Sequence, residues 1–304
     1  MIRPDQFPWF LWRLARNSLC AVPLTKRILF PSNKVAAQFG PGGGTYGWNL
    51  FCAHSERLQR AGFTGADSIL EVGPGRNIGT SLLWYSTTMG GGHSQVRVAL
   101  WDVISNAHVD PDAWSDCAAD LLGSQPKDVV LPREATMILE RIAAGSLVPD
   151  ITYHVCQYQQ LVDRFRDQPF GLIYSHASLE HAWAIRNTWN ALGALTADGG
   201  WHSHRIDLAD HGRRDTNYIE MCEWPEWAYK LTMNRIPGAI NRYRASDHIR
   251  SLKDLGFDII TEERETRPDL PVPRERLAEP FRSMDTVELK TSAIDIVARR
   301  PPMR

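Results

Sequence analysis

The spacing of hydrophobic and polar positions changes at about residue 66. Residues 1–64 are predicted to form short helices, interrupted by Pro23, Pro31 and the glycine-rich run at 40–44. Beyond residue 66, short apolar runs alternate with longer amphipathic stretches. Short apolar runs predict buried strands, and the amphipathic stretches predict helices. This alternation is typical of right-handed βαβ units around a largely parallel sheet.

The pattern places seven strands and five helices after residue 66. Strands are predicted at 68–72, 96–101, 151–156, 170–174, 201–206, 257–261 and 292–298. Helices are predicted at 78–89, 112–122, 133–144, 178–195 and 245–255. We expect one α/β domain at 65–304, preceded by a helical segment at 1–64. That segment and two insertions, 105–149 and 208–245, are expected to form a lid. The glycine-rich run is either a hinge or ligand-covering loop or a plain linker.

Composition excludes several classes of protein. The 304 residues carry a net charge of −1, so nothing global favours a nucleic-acid partner. The five cysteines are far apart and form no CxxC pair, which gives no indication of a zinc ribbon or disulfide framework. The apolar stretch at 7–12 is too short to cross a bilayer, which needs about 20 residues. We therefore expect a cytoplasmic protein without a transmembrane segment.

The first predicted strand ends in a glycine loop, Glu-Val-Gly-Pro-Gly at 71–75. Glycine lets the backbone turn tightly and approach a ligand closely. The next glycine is Gly79, so the spacing is not the G-x-G-x-x-G of dinucleotide folds. Glu71 would repel a pyrophosphate but suits a cationic ligand. Asp102 ends the second predicted strand, where a carboxylate can accept two hydrogen bonds from ribose hydroxyls.

These residues resemble motif I of class I (Rossmann-like) S-adenosylmethionine-dependent methyltransferases, in which E/D-x-G-x-G follows a hydrophobic strand. The resemblance implies S-adenosylmethionine as cofactor and the strand order 3-2-1-4-5-7-6 with an antiparallel last strand. The cofactor's methionyl part would lie against Gly73, Pro74 and Gly75, and Glu71 would organise its ammonium end. Asp102 would bind the ribose and Gln157 the adenine. Ser175 and His176 would lie beside the sulfur.

The chain departs from the family pattern at several positions. Arg76 and Asn77 stand where many members have a further glycine, and Gln157 follows a strand where the family often has an aspartate. Glu180 and His181 are expected at the start of a helix, where glutamate interacts favourably with the helix dipole. In some relatives an E-H pair at this place binds a divalent metal. Whether the protein binds a metal is therefore open, and the ligands of such a metal are unknown.

The segment at 200–211 is the least expected one, and it resembles a stretch found in uncharacterised bacterial small-molecule and sugar methyltransferases. On a strand, His202, His204 and Ile206 share one face, and Asp207 and His211 follow at the carboxyl end. Imidazole titrates near neutral pH, so His204 or His211, with Asp207, is the predicted base. The alternatives are solvated polar residues or a metal cluster using His204, Asp207 or His211.

Aromatic residues and arginines are concentrated at 213–244. They either contact the methyl acceptor or cover a core; the set comprises Tyr218, Trp224, Trp227, Tyr229, Asn234, Arg235, Arg242 and Arg244.

The sequence therefore predicts methyl transfer from S-adenosylmethionine to a small-molecule acceptor. The chain lacks the D/N-P-P-F/Y tetrad of many amino-group methyltransferases, which favours an oxygen acceptor such as a sugar or natural-product hydroxyl. Two alternatives remain: a nicotinamide-dependent oxidoreductase, and a non-catalytic binding module with the same fold. The acceptor, the need for metal and the oligomeric state are open.

Overall fold

A seven-stranded sheet organises the chain in the computed structural model, which describes residues 2–29, 43–93 and 95–302. The strands are β1 (Ser68–Val72), β2 (Arg97–Asp102), β3 (Ile151–Val155), β4 (Phe170–His176), β5 (Thr196–Asp207), β6 (Asp258–Thr266) and β7 (Thr291–Arg299). Their order is β3-β2-β1-β4-β5-β7-β6. Strand β7 runs antiparallel to both neighbours, and the other pairings are parallel. The predicted strand order is confirmed.

Helices flank both faces of the sheet, and some of them precede its first strand in the chain. They are α1 (Phe7–Leu19), α2 (Pro23–Leu29), α3 (Gly44–Arg60), α4 (Gly79–Gly90), α5 (Pro111–Gly123), α6 (Arg133–Ala143), α7 (Tyr158–Phe165), α8 (Ile185–Ala194), α9 (Glu226–Met233), α10 (Ala245–Asp254) and α11 (Thr286–Lys290). No helix among the described residues is long and apolar enough to span a membrane.

Strand β1 lies at the centre because its side chains are apolar on both faces. Ile69, Leu70 and Val72 are all buried, as expected for a parallel strand covered by helices on both sides. Leu70 pairs in register with Ala99 of β2 on one side and with Ile173 of β4 on the other. The chain therefore changes direction across the sheet at β1. Ligands of open α/β sheets bind at this switch point, beyond the carboxyl ends of the strands.

The N-terminal helix α3 and the insertion at 105–149 pack into the main body of the protein. Trp48 of α3 is fully buried and donates a hydrogen bond from Nε1 to the Leu121 carbonyl at 2.8 Å. Trp114 and Leu139, from the two helices of the insertion, belong to the same hydrophobic cluster. A second cluster, on the opposite face of the sheet, contains Trp189 of α8.

The insertion at 208–245 builds a third cluster together with α1. Phe10 of α1 packs in this cluster with Trp224, Tyr229 and Leu277. Helix α1 is thus attached to the body through the same insertion that follows the His/Asp segment of β5. Of the glycine-rich run, residues 40–42 lie outside the described part of the chain. Gly44 begins α3, and its amide donates to Asp120 Oδ2 at 2.5 Å.

The helix predicted at 178–195 is wrong in its first turn. Leu179–His181 form a 3₁₀ turn, and the α-helix starts only at Ile185. The side chain of Asn241 donates hydrogen bonds to the carbonyls of Leu179 and Ala182, at 2.8 and 3.1 Å. Because Asn241 binds these two carbonyls, the segment at 179–182 does not continue as part of the α-helix.

The fold makes a prediction at Gly73, whose φ of 69° is in the left-handed region. A Cβ added there would lie 2.5 Å from Ser178 Cβ. Gly73→Ala should therefore lower the free energy of unfolding by about 3 kcal/mol, combining backbone strain with a clash. Urea denaturation of the full chain measures the change.

Gly62→Ala is the matched control for this substitution. Gly62 also has positive φ, 89°, but nothing lies within 4 Å of its Cβ position. This variant should lose only about 1 kcal/mol. If both variants lose the same free energy of unfolding, the contact between position 73 and Ser178 does not contribute to the effect.

Candidate functional site

The glycine loop after β1 is held on both sides by neighbouring strands. The Gly73 amide donates to the Trp101 carbonyl of β2 at 2.8 Å. On the other side, Ser178 Oγ donates to the Val72 carbonyl at 2.8 Å. Gly75, with φ of 63°, completes the turn after Pro74. The loops that follow β1 and β4 are therefore in direct contact at the switch point.

Asn77 fixes the start of α4, in a position where the family often has glycine. Its Oδ1 accepts from the Gly79 amide at 2.9 Å, and its Nδ2 donates to the Gly43 carbonyl at 3.0 Å. The side chain thus binds both the helix that follows the loop and the start of α3. The bond to the Gly79 amide satisfies one of the free N–H groups at the start of the helix.

Glu71 is buried between β4 and α4. Its Oε2 accepts hydrogen bonds from Ser81 Oγ and, at 2.8 Å, from the Tyr174 hydroxyl. Burial raises the pKa of Glu71 to about 7, although both hydrogen bonds oppose the shift. The Ser81 and Tyr174 contacts were not anticipated from the sequence, since nothing in the local pattern pairs these three positions.

Asp102 stands at the end of β2, as predicted. Its Oδ1 accepts from the Val103 amide at 2.8 Å, and its Oδ2 accepts from Asn106 Nδ2 at 2.9 Å. Burial raises its pKa. These bonds fix the orientation of the carboxylate. Gln157, in contrast, is exposed before α7, and its backbone amide donates to Gln160 Oε1 at 3.0 Å.

Ser175 and His204 lie in the interior rather than at the edge of the sheet. Both have no exposed surface, and Ser175 Oγ contacts His204 Nδ1 at 2.7 Å. The chain of contacts continues from His204 Nε2 to His202 Nδ1 at 2.8 Å and from His202 Nε2 to Thr196 Oγ1 at 2.7 Å.

This burial differs from the expectation that His204 stands at a catalytic edge. Burial sets the pKa of His204 well below its usual value and that of His202 at about 3, so both rings are neutral. His202 and His204 do share one face of the strand, as strand alternation predicts, and α8 covers that face. The Trp189 ring there is 5.1 Å from the ring of His204.

His176 ends β4 and is half-buried. Its Nδ1 is buried without a hydrogen-bond partner among the described residues, and burial lowers its pKa to about 4. The ring of Tyr46, on α3, lies 6.5 Å away. Burial raises the pKa of Tyr46, and the charges of Glu71 and Glu180 add to the shift. Tyr46 therefore lies near both Glu71 and Glu180, although its segment resembles no motif.

The structure brings Glu180, His181 and His211 together. One ligand atom from each lies within 4.8 Å of the others, a spacing that fits a metal ion. Both carboxylate oxygens of Glu180 are buried without a partner among the described residues, and burial raises its pKa to about 8. His181 Nδ1 donates to the Ala239 carbonyl at 3.3 Å, which leaves Nε2 as the acceptor.

The structure brings the side chains of Asp207 and His211 together. Asp207 Oδ2 lies 3.3 Å from His211 Nε2 and also contacts Arg214. Its Oδ1 accepts from the Ala209 amide at 3.0 Å, which fixes the carboxylate. Burial lowers the pKa of His211, so the ring is neutral at pH 7 and able to accept a proton.

Most of the aromatic residues and arginines at 213–244 cover a core. Tyr218, Trp224 and Tyr229 are buried, and Arg244 donates to backbone carbonyls that include Leu208, at 2.7 Å. Trp227 is exposed. The alternative in which this set caps the interior therefore describes it better than contact with an acceptor.

The strand order, with its antiparallel seventh strand, decides the architecture. The chain has the class I methyltransferase fold. No protein-family model matches the sequence, and neither does any curated protein.

Solved structures resemble the chain at low identity. One is an S-adenosylmethionine-dependent methyltransferase from Mesorhizobium loti, 16% identical with a TM-score of 0.38, covering 82% of this chain and 98% of that one. A second is the N-methyltransferase NodS from Bradyrhizobium japonicum, with S-adenosylhomocysteine bound. It is 11% identical, with a TM-score of 0.37 and coverages of 81% and 87%. The [4+2]-cyclase SpnF is 13% identical, with a TM-score of 0.44 and coverages of 83% and 81%. These likenesses concern the fold alone.

The burial of Glu71 predicts a pH dependence of stability. Its folded pKa of about 7 lies above its ordinary value of 4.5, so the unfolded chain loses this proton first as the pH rises. Rising pH between these values therefore favours unfolding, at a cost of about 3 kcal/mol that is complete above pH 7.

Glu71→Gln should remove this dependence. The free energy of unfolding of the variant relative to the wild type should rise between pH 4.5 and 7.5, measured by urea denaturation. The exposed substitution Glu140→Gln serves as the control and should show no such trend. A difference between the Glu71→Gln variant and the wild type that does not vary with pH would contradict the assignment.

Proposed function

We propose that this protein transfers a methyl group from S-adenosylmethionine to a hydroxyl of a small molecule. The observation that carries the proposal is the convergence of three groups at one sheet edge. The glycine loop follows β1, Asp102 ends β2, and Glu180 and His181 follow β4. These are the carboxyl ends of the central parallel strands, where a ligand of this fold would bind.

The residues at the edge fit the cofactor. The carboxylate of Asp102, oriented by Val103 and Asn106, would accept hydrogen bonds from two ribose hydroxyls. Gly73 and Gly75 turn the backbone at positive φ, and an ammonium group bound beside the loop would favour the ionised form of the buried Glu71. Gln157 is available at the neighbouring strand end for the adenine. Bound S-adenosylmethionine would supply an electrophilic methyl group on its sulfonium sulfur.

On the acceptor side we assign the proton-accepting role to His211, with Asp207 as the residue that positions it. The ring is neutral and half-exposed, and the carboxylate 3.3 Å from Nε2 would stabilise the charged imidazole after proton uptake. His176 and Tyr46 would line the space between the methyl donor and this base. His204, without exposed surface, supports the interior of the sheet instead.

A second candidate, metal-assisted methyl transfer, is favoured by the unpartnered oxygens of Glu180. Glu180, His181 and His211 offer one carboxylate and two imidazoles, ligands that suit several divalent ions. An ion there would neutralise the buried carboxylate and bind an acceptor oxygen. In this arrangement His211 is a ligand rather than a base.

Cofactor binding tests the proposal first. Calorimetric titration should show S-adenosylhomocysteine binding to the wild type and at least tenfold weaker binding to Asp102→Ala, because the ribose loses two charge-assisted hydrogen bonds. Asp128→Ala, which changes an exposed aspartate of the insertion at 105–149, should bind like the wild type. Binding of NADH instead would support the oxidoreductase alternative. If the protein binds neither S-adenosylhomocysteine nor NADH, the non-catalytic binding module is the better description.

The two roles of His211 are separable by metal binding. With a panel of hydroxylated small molecules, release of S-adenosylhomocysteine should fall at least 100-fold in His211→Gln in either arrangement. The exposed control His108→Gln should retain full activity. Titration with Mn²⁺ distinguishes the cases: binding that Glu180→Gln abolishes identifies a metal centre. Activity that survives EDTA, without Mn²⁺ binding, identifies a base. Full activity in His211→Gln would reject both.

A further inference from the structure

Helix α1 has polar residues on its inward face, beside Phe10, and a largely apolar outward face. The inward face bears Phe10, Arg13 and Asn17. Arg13 pairs with Glu220 at 2.8 Å, and Asn17 Nδ2 donates to the Leu231 carbonyl at 2.9 Å. On the outward face, Trp12 is 52% exposed and Leu19 is also exposed. A surface helix ordinarily shows the reverse arrangement.

The exposed apolar surface continues into α2 and α9. Leu24 and Ile28 of α2 are each 69% exposed, the largest values among the apolar residues of the two N-terminal helices. Trp227 of α9 is exposed and lies 5.7 Å, ring to ring, from Phe10. Within the described part of the chain, every exposed Phe or Trp lies on this surface, which we call the N-terminal apolar surface: Phe7, Trp9, Leu11, Trp12, Leu19, Val22, Leu24, Ile28, Leu29, Trp227 and Leu231.

Positive charge accompanies the apolar residues. Positions 7–29 contain two arginines in α1, Lys26 and Arg27, and no acidic residue, in a chain whose net charge is −1. The Arg16 guanidinium lies over the Trp12 ring, with Cζ 5.2 Å from its centroid. Arg213, from the neighbouring insertion, lies over Trp9 at 5.9 Å. Tryptophan, leucine and basic side chains in short helices form the composition of segments that lie in a membrane interface.

We propose that the N-terminal apolar surface docks on a lipid surface that carries anionic headgroups. Trp9, Trp12 and the leucines would enter the boundary between headgroups and acyl chains, and Arg16 and Lys26 would contact the headgroup phosphates, whereas Arg13 is paired with Glu220 on the inward face. Charge favours this occupant over a second copy of the chain. A symmetric pair would set the basic residues of one copy against the same residues of the other, with no acid in the segment to oppose them.

The inference goes beyond methyl transfer and does not depend on it. The insertion at 208–245 nevertheless connects the two sites, because it bears His211 and binds α1 through Glu220. Docking would therefore place the acceptor side of the protein close to the lipid.

Sedimentation with sucrose-loaded vesicles tests the proposal on the full chain. The protein should sediment with vesicles of phosphatidylcholine and phosphatidylglycerol, and much less with phosphatidylcholine alone. Added salt should weaken the binding, since part of it is electrostatic. The combined variant Trp12→Gln, Leu24→Gln and Ile28→Gln should partition at least tenfold less, because three exposed apolar side chains are removed.

The matched control changes three exposed apolar side chains elsewhere: Val130→Gln, Met137→Gln and Val148→Gln. It should bind vesicles like the wild type. Equal thermal unfolding midpoints for both triple variants would show that neither disturbs the fold. Failure of the wild type to sediment, or equal sedimentation of the two triple variants, overturns the proposal. A concentration-dependent dimer that only the Trp12 variant abolishes, without vesicle binding, overturns it in favour of self-association.

Discussion

The contact between the loops after β1 and β4 is the constraint on which the rest of the site depends. Gly73 must have positive φ and no Cβ to lie against Ser178, whose hydroxyl in turn binds the Val72 carbonyl. This contact sets the position of the segment after β4, which includes Ala177, with φ of 47°, and Glu180. Strained backbone of this kind persists only where the surroundings determine it, and it is concentrated at functional sites.

The second property of the site is that burial favours the neutral forms of Glu180 and His181. Burial raises the pKa of Glu180 to about 8 and lowers that of His181 to about 4. Both shifts oppose the charged form, so the apo protein keeps unpaired polar groups at a cost in stability. Residues held at such a cost are candidates for ligand binding. A cation placed among them would reverse the shift at Glu180.

The sequence predicted all seven strands because each contains a short apolar run, although β5 begins five residues earlier and β6 ends five residues later than expected. It also located the glycine loop and Asp102, which depend on local geometry. It misjudged the segment after β4, because Asn241, more than 50 residues away, holds the carbonyls of Leu179 and Ala182. Alternation along β5 placed His202 and His204 on one face but could not show that α8 covers it. The proximity of His211 to Glu180 likewise required the fold of the insertion.

The central claim is that the edge formed by β1, β2 and β4 binds a methyl donor. A crystal structure of the full chain with S-adenosylhomocysteine tests it most directly. The account predicts ribose hydroxyls on Asp102, the amino-acid end at the glycine loop above Glu71, and the sulfur facing His176 and the Glu180–His181–His211 group. Density for the ligand elsewhere, or a ribose that does not contact Asp102, would contradict the account.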